Sequence, residues 1–216
     1  MKLYYLPDRI SLFIFDMDGT LYTHHGYAEH QNFVLIQRLA KQRGLSYEAM
    51  RSHIDEYRRA WGEAHGGETL SLGNTMVAFG VSIEENIRWR KELIHPEHFL
   101  VPDPELRNTL TAMKKFAGLA VVTNNPVDIA QRTLQTLGVL ELFSSIVGLD
   151  TFKISKPCDK SFLKAAQDVQ IPAAECVAVG DRYDIDIALP LKLGMGGILV
   201  DGVEDVHRIL TILQKL

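Results

Sequence analysis

Asp16 and Asp18 stand one residue apart after a short apolar run, Ser11–Phe15, and Gly19 lets the chain turn sharply behind them. Two carboxylates so placed have a joint use. One attacks an electrophile while the other handles a proton, provided a cation suppresses their mutual repulsion. By itself the pair suits an acidic strand-end turn just as well, so the other chemistry-bearing segments decide. Thr123-Asn124-Asn125-Pro126 offers a hydroxyl and, with Asn125 as N-cap and Pro126 as first helical residue, free N–H groups at a helix N-terminus. That arrangement suits a phosphate and plain helix capping alike. Lys156, ahead of Pro157, supplies a cation. Asp181, Asp184 and Asp186 follow a further apolar run, and such hard oxygen ligands suit magnesium, which takes one or two carboxylates plus phosphate and water. Asp184 also reads as a helix cap.

The elements that must position these residues follow from hydrophobic patterning. Continuous apolar runs at Ser11–Phe15, Leu119–Val122, Ser145–Leu149, Cys176–Val179 and Gly197–Val200 predict strands buried on both faces. Val127, Ala130, Leu134 and Leu137 recur at helical spacing ahead of Gly138, and Phe162, Ala166 and Val169 do so further on. The alternation predicts an α/β fold with a parallel sheet. Between the first and second strands lie only amphipathic helical segments, Tyr27–Arg43, Tyr47–Ala64, Glu68–Phe79 and Ile83–Leu93, punctuated by Gly44, Gly66-Gly67 and Gly80. Three prolines between His95 and Pro104 mark the exit from that block. Each acidic, hydroxyl or lysine segment follows a predicted strand, so all can converge on one sheet edge, where open α/β sheets bind ligands.

In this order the segments resemble the four motifs of the haloacid dehalogenase-like (HAD) hydrolase superfamily, and the resemblance spans nearly the whole chain. It implies a Rossmann-like core of residues 1–22 and 100–216 with an inserted helical C1-type cap, residues 23–99. It further implies Asp16 as nucleophile, Asp18 as general acid and base, and Lys156 as the cation orienting Asp16. Thr123 and Asn124 would bind the phosphoryl group. Mg2+ would be held by the Asp16 carboxylate, the Asp18 main-chain carbonyl and Asp181, with Asp186 orienting Lys156 or metal-bound water. Family dehalogenases lack an aspartate two residues after the nucleophile, so Asp18 favours phosphoryl transfer.

The activity implied is phosphomonoester hydrolysis through an aspartyl-phosphate on a small phosphorylated metabolite, such as a nucleoside monophosphate or phosphoglycolate. A phosphomutase of the same fold and a non-catalytic binding or regulatory protein are the alternative readings. Asp18–Tyr22, His65–Leu70 and Pro102–Arg107 partly resemble the pyrimidine 5′-nucleotidase branch, although Gly19 and Gly180-Asp181-Arg182 depart from its pattern. His24 and His65 are candidate substrate contacts, with exposed, functionless histidines the alternative. Trp61 and Trp89 read as core. Gly194-Met195-Gly196-Gly197 precedes a strand, the reverse of the order that cradles phosphate. Pro190 should shorten or kink the helix after the fourth motif.

Bulk properties agree. Hydrophobic residues make up 46 % of the 216 and charged residues 23 %, enough apolar content for a buried core. A formal net charge of −4 argues against a nucleic-acid polymer as partner. The N-terminus is a poor signal peptide, no run suits a membrane span, and Cys158 and Cys176 form no CxxC pair. Those features predict a cytoplasmic protein with reduced thiols.

Overall fold

The computed structural model describes residues 1–214; the last two residues of the expected core range lie outside them. In chain order the elements are β1 (Lys2–Leu3), β2 (Leu12–Phe15), α1 (His25–Arg43), α2 (Tyr47–Ala64), α3 (Leu72–Ala78), α4 (Ile83–Leu93) and α5 (Pro104–Phe116). There follow β3 (Gly118–Val122), α6 (Val127–Thr136), β4 (Ser145–Val147), α7 (Leu149–Phe152) and α8 (Asp159–Asp168). The chain ends with β5 (Cys176–Gly180), α9 (Ala188–Lys192), β6 (Gly196–Leu199) and α10 (Val203–Leu213). The strands form one sheet in the order β1-β6-β5-β2-β3-β4, parallel except for β1. β2 is central, with Phe15 opposite Val121 on one side and Val179 on the other. The chain runs from β2 outward through β3 and β4, then returns to add β5 and β6 on the other flank. The carboxyl end of β2 thus lies at the reversal of strand order, where such sheets form a crevice.

Strand alternation divides the core into two layers. Phe13, Phe15, Leu119, Val121, Val177 and Val179 pack with Leu110 of α5, Leu134 of α6 and Ile209 of α10. Leu12, Ile14, Ala120, Val122, Cys176 and Ala178 pack with Phe162 and Ala166 of α8. Burial on both faces is why these segments read as unbroken apolar runs. The inserted helices have an apolar centre of their own, including Leu35, Leu39, Met50, Ile54, Met76 and Trp89. Cys158 and Cys176 are buried free thiols. Among the described residues no helix is long and apolar enough to cross a membrane.

Several boundaries differ from expectation. The third inserted helix is confined to Leu72–Ala78, because the Ser71 hydroxyl accepts the N–H of Asn74 and starts it there. The expected strand Ser145–Leu149 stops at Val147, since Leu149 already opens α7. Pro104 begins a helix rather than ending one: it occupies the first turn of α5, and the Asp103 carboxylate accepts the N–H of Leu106 at 2.9 Å. Trp89 is core, but Trp61 is half-buried and stacks on the exposed His65 ring, centroids 4.0 Å apart. After β5 the chain makes a wide π-type turn, Tyr183–Ile187, and α9 is only five residues long around Pro190.

At Gly180 the sheet and that turn meet. A Cβ there would overlap the Cβ of Asp186 and lie 2.7 Å from its Cγ. Gly180→Ala is therefore expected to destabilise the fold by about 1–3 kcal/mol through overpacking. Urea denaturation checks this, with a lower midpoint at unchanged slope.

Candidate active site

Asp16 follows the last residue of β2, and its backbone N–H donates to Val179 O at 2.8 Å, which ties it to β5. The residue is 5 % exposed. Its Oδ1 accepts a hydrogen bond from Lys156 Nζ at 2.5 Å. Lys156, 1 % exposed, spends its other two donors on Asp186 Oδ1 at 2.7 Å and Val122 O at 2.9 Å. All three ammonium hydrogens are thus used, which a buried lysine requires. Burial opposes the Lys156 charge, but Asp16 and Asp186 outweigh it and hold the ammonium above its ordinary pKa. Asp186 is anchored in turn, its Oδ2 accepting the Arg182 N–H at 3.1 Å.

Asp181 follows β5 and completes an acidic group. One carboxylate oxygen each from Asp16, Asp181 and Asp186 lies within 4.8 Å of the others. Asp16 Oδ2 and Asp181 Oδ1 are buried and have no hydrogen-bond partner among the described residues. Burial, then the charges of Asp16 and Asp186, push Asp181 up to about 7, and burial also raises Asp16 against the pull of Lys156. Converging carboxylates with unpartnered oxygens and raised affinity for protons are a donor set fit for a hard divalent cation. Gly19 makes room for this approach: its φ is +79°, and a Cβ on it would lie 2.6 Å from Asp181 Oδ2.

The Asp18 carboxylate points elsewhere, into a polar network shared with the inserted helices. Its Oδ1 accepts from Tyr22 Oη at 2.5 Å and Gln31 Nε2 at 2.6 Å, and its Oδ2 from Asn125 Nδ2 at 2.9 Å. Burial and the Asp18 charge raise the Tyr22 phenol well above 10, so it stays a donor. Asn125 does not cap α6 as its sequence position suggests. Pro126 occupies that place, and Asp150 Oδ1 takes the Val127 N–H at 2.8 Å instead. Asn125 is free to bridge Asp18, Gln31 Oε1 at 3.2 Å, and Arg90 Nη1, to which its Oδ1 accepts at 2.7 Å.

Thr123 is buried at the end of β3, its hydroxyl accepting the Asn125 N–H at 3.1 Å. Asn124 Oδ1 accepts the Lys156 N–H at 2.6 Å, while its Nδ2 is buried without a partner. A cavity of about 430 Å³ is walled by Asp18, Asn124, Asn125 and Asp181 from the sheet edge and by Gln31, Leu72 and Arg90 from the inserted helices, with Asp16, Thr123 and Lys156 behind that lining. That volume suits a small metabolite. His24 lies on its wall and also caps α1, with Nδ1 accepting the Tyr27 N–H at 3.0 Å. His65 does not line the cavity; its Nδ1 is 2.7 Å from Trp61 O. Asp184 lies outside the acidic group and accepts the Thr69 N–H at 3.1 Å, joining the loop before α3 to the core.

Sequence reasoning missed Gln31 and Arg90. Gln31 occupies a buried position in the helical stripe Tyr27, Gln31, Leu35, Leu39, and a polar residue inside an apolar stripe is the signal that could have found it. Asn86 and Arg90, one turn apart and buried beside Trp89, carry the same signal.

The profile of the haloacid dehalogenase-like hydrolases matches residues 10–193. The chain belongs to that family, and it is a phosphatase enzyme of that family. It is 31% identical over 183 residues to an N-acetylmuramic acid 6-phosphate phosphatase of Pseudomonas aeruginosa, covering 80% of this chain and 74% of that one. It is 28% identical over 183 residues to a phosphoglycolate phosphatase of Aquifex aeolicus, covering 84% and 80%. Among solved structures, a HAD phosphatase from Thermococcus onnurineus superposes with a TM-score of 0.65 at 18% identity, covering 94% of this chain and 98% of that one.

The raised Asp181 has a consequence for stability in chelator-treated protein. The folded site holds this proton up to about pH 7, whereas the ordinary carboxyl loses it near 3.8. Between those values the folded state binds more protons, so the contribution of Asp181 to stability is lost as pH rises. Asp181→Asn, which cannot ionise, should remove that part of the loss. Urea denaturation at about pH 5 and about pH 8 is the check: the variant gains on the wild type at the higher pH.

Proposed function

We propose that the protein is a magnesium-dependent phosphomonoester hydrolase acting through a phosphoenzyme on Asp16, with residues 1–22 and 100–214 as core and 23–99 as cap. The observation that carries this reading is the asymmetry of Asp16. One oxygen is gripped by Lys156 at 2.5 Å, and the other is buried without a partner beside Asp181. A carboxylate so held is oriented yet has lone pairs to offer. Asp16 and Asp181, with the Asp18 main-chain carbonyl, would hold Mg2+, whose charge would screen the phosphoryl dianion from the carboxylates.

In the first step the Asp16 carboxylate attacks phosphorus, and the bond from phosphorus to the ester oxygen breaks. Asp18 donates a proton to the departing alkoxide. In the second step Asp18 takes a proton from water, the water oxygen attacks phosphorus, and the bond to Asp16 breaks. Inorganic phosphate leaves and both aspartates return to their starting states. The Thr123 hydroxyl and the unpartnered Asn124 Nδ2 would hold phosphoryl oxygens, and Lys156 offsets charge at Asp16 throughout. Tyr22, Gln31 and Asn125 aim Asp18 through three hydrogen bonds. His24, on the cavity wall, is the histidine we assign to substrate contact. The two relatives named above are phosphatases of phosphoglycolate and of N-acetylmuramic acid 6-phosphate, and we assign this chain a substrate of the same general kind, a small phosphorylated metabolite.

Asp16→Asn is expected to lower kcat on any hydrolysed phosphomonoester by roughly 10⁴-fold or more. Asp18→Asn keeps the nucleophile but slows both proton transfers by about 10²–10⁴-fold. Acid-quenched mass spectrometry should then find a phosphoryl adduct on the Asp16 peptide of Asp18→Asn and none on that of Asp16→Asn. Full activity in Asp16→Asn would sink the proposal. A chelator should abolish phosphate release and added Mg2+ restore it; unchanged release in excess chelator would count against the metal.

A further inference from the structure

The cap side of the cavity carries a charged group that the mechanism leaves unused. Arg90, near the end of α4, is 7 % exposed and lies on the cavity wall. Its Nε donates to Asn86 Oδ1 at 2.9 Å, and its Nη1 to Asn125 Oδ1 at 2.7 Å. Both partners are neutral amides. A guanidinium has five N–H donors, so three have no protein partner among the described residues, and Arg90 forms no ion pair there. A buried cation with neither a counter-ion nor a full set of acceptors is unfavourable until an anion joins it.

The other cations near the site are placed differently. Lys156 has three acceptors, whereas Arg182 sits against the acidic group, 3.8 Å from Asp181 Oδ1, with its charge facing those carboxylates and, among the described residues, no hydrogen bond fixing its guanidinium. Arg90 is held rigidly, because Asn86 fixes Nε and Asn125 fixes Nη1. A planar fork fixed in this way is pre-organised for a carboxylate or a phosphoryl group. Burial pushes its pKa down to about 10, with Asp18 opposing that shift, so the guanidinium remains charged at neutral pH.

We propose that Arg90 binds a second anionic group, a carboxylate or second phosphoryl group, on the leaving portion of the substrate. The inference rests on the phosphatase reading above and narrows it to small phosphomonoesters whose alcohol carries its own negative charge. A nucleoside monophosphate, whose leaving nucleoside is neutral, falls outside that class. Arg90 also touches Asn125, which holds Asp18. A role confined to that contact would aim the acid equally for every substrate and would not discriminate between leaving groups.

The test compares kcat/KM of the Mg2+-loaded enzyme for phosphoglycolate, 1,2-ethanediol bisphosphate and the neutral analogue 2-hydroxyethyl phosphate. The wild type should prefer one of the two anionic esters by about 100-fold, the scale of a charged hydrogen-bonded contact. Which of them is preferred tells carboxylate from phosphoryl recognition. In Arg90→Lys and Arg90→Gln that preference should collapse towards unity, with the loss mainly in KM for the anionic ester. Equal use of charged and neutral esters by the wild type would overturn the inference and leave the phosphatase reading intact. Equal losses on all three esters in the variants would overturn it too, and would make Arg90 a positioning residue. Hydrolysis of no phosphomonoester would overturn both readings. The wild-type comparison can overturn the inference even if a variant fails to fold, and the Arg90→Lys and Arg90→Gln arms tell Arg90 from Arg182, which lines the same cavity.

Discussion

A single buried ammonium organises the carboxyl end of this sheet. Lys156 Nζ meets Asp16, Asp186 and the carbonyl of Val122 at 2.5–2.9 Å, so it ties together β2, β3 and the turn after β5. Two buried carboxylates at this separation would repel each other, and without the cation one of them would keep its proton. The ammonium also cannot leave, since its transfer out would strand both charges in a low-dielectric site. Because Lys156 takes one oxygen of each aspartate, their other oxygens are left for different work. That division, more than the number of acids present, is what gives the site its directionality.

The second organising feature is the splitting of Asp16 from Asp18. The two are neighbours but one in sequence, yet their carboxylates enter different surroundings. Asp16 faces Lys156 and the acidic group beneath the cavity, whereas Asp18 faces Tyr22, Gln31 and Asn125 beside the inserted helices. Gly19 permits the turn that carries the chain away while Asp181 approaches from β5. The two carboxylates are thereby given different electrostatic surroundings, as the two roles proposed for them require.

Much of this was legible in the sequence, for physical reasons. Strands buried on both faces announce themselves as apolar runs, and Asp16, Thr123 and Asp181 were found because each follows one. Helices α2 and α4 span the expected Tyr47–Ala64 and Ile83–Leu93, and in the structure the hydroxyls of Ser46 and Ser82 accept N–H groups of the first turn and fix those starts. What escaped depends on partners far away along the chain. Asn125 has the sequence position of a helix cap, and only Gln31 and Arg90, 94 and 35 residues distant, turn its side chain into the site. The two-residue edge strand β1 is too short to show alternation. Pro104 was read as an interruption because a proline at a first helical turn and a proline in a loop look alike until the Asp103 cap is seen. His65 sat in a suggestive glycine-rich loop, but it folds back onto Trp61.

Asp18 accepts hydrogen bonds from both sides of the cavity, from Asn125 on the sheet edge and from Gln31 on the first inserted helix, α1. The consequence is one of timing. On the function proposed above, any outward displacement of α1 would take Gln31 with it and leave the proton carrier with two of its three restraints. One amide would then link the aim of that base to the seating of the inserted helices, so that the base is fully restrained only while the cavity is closed.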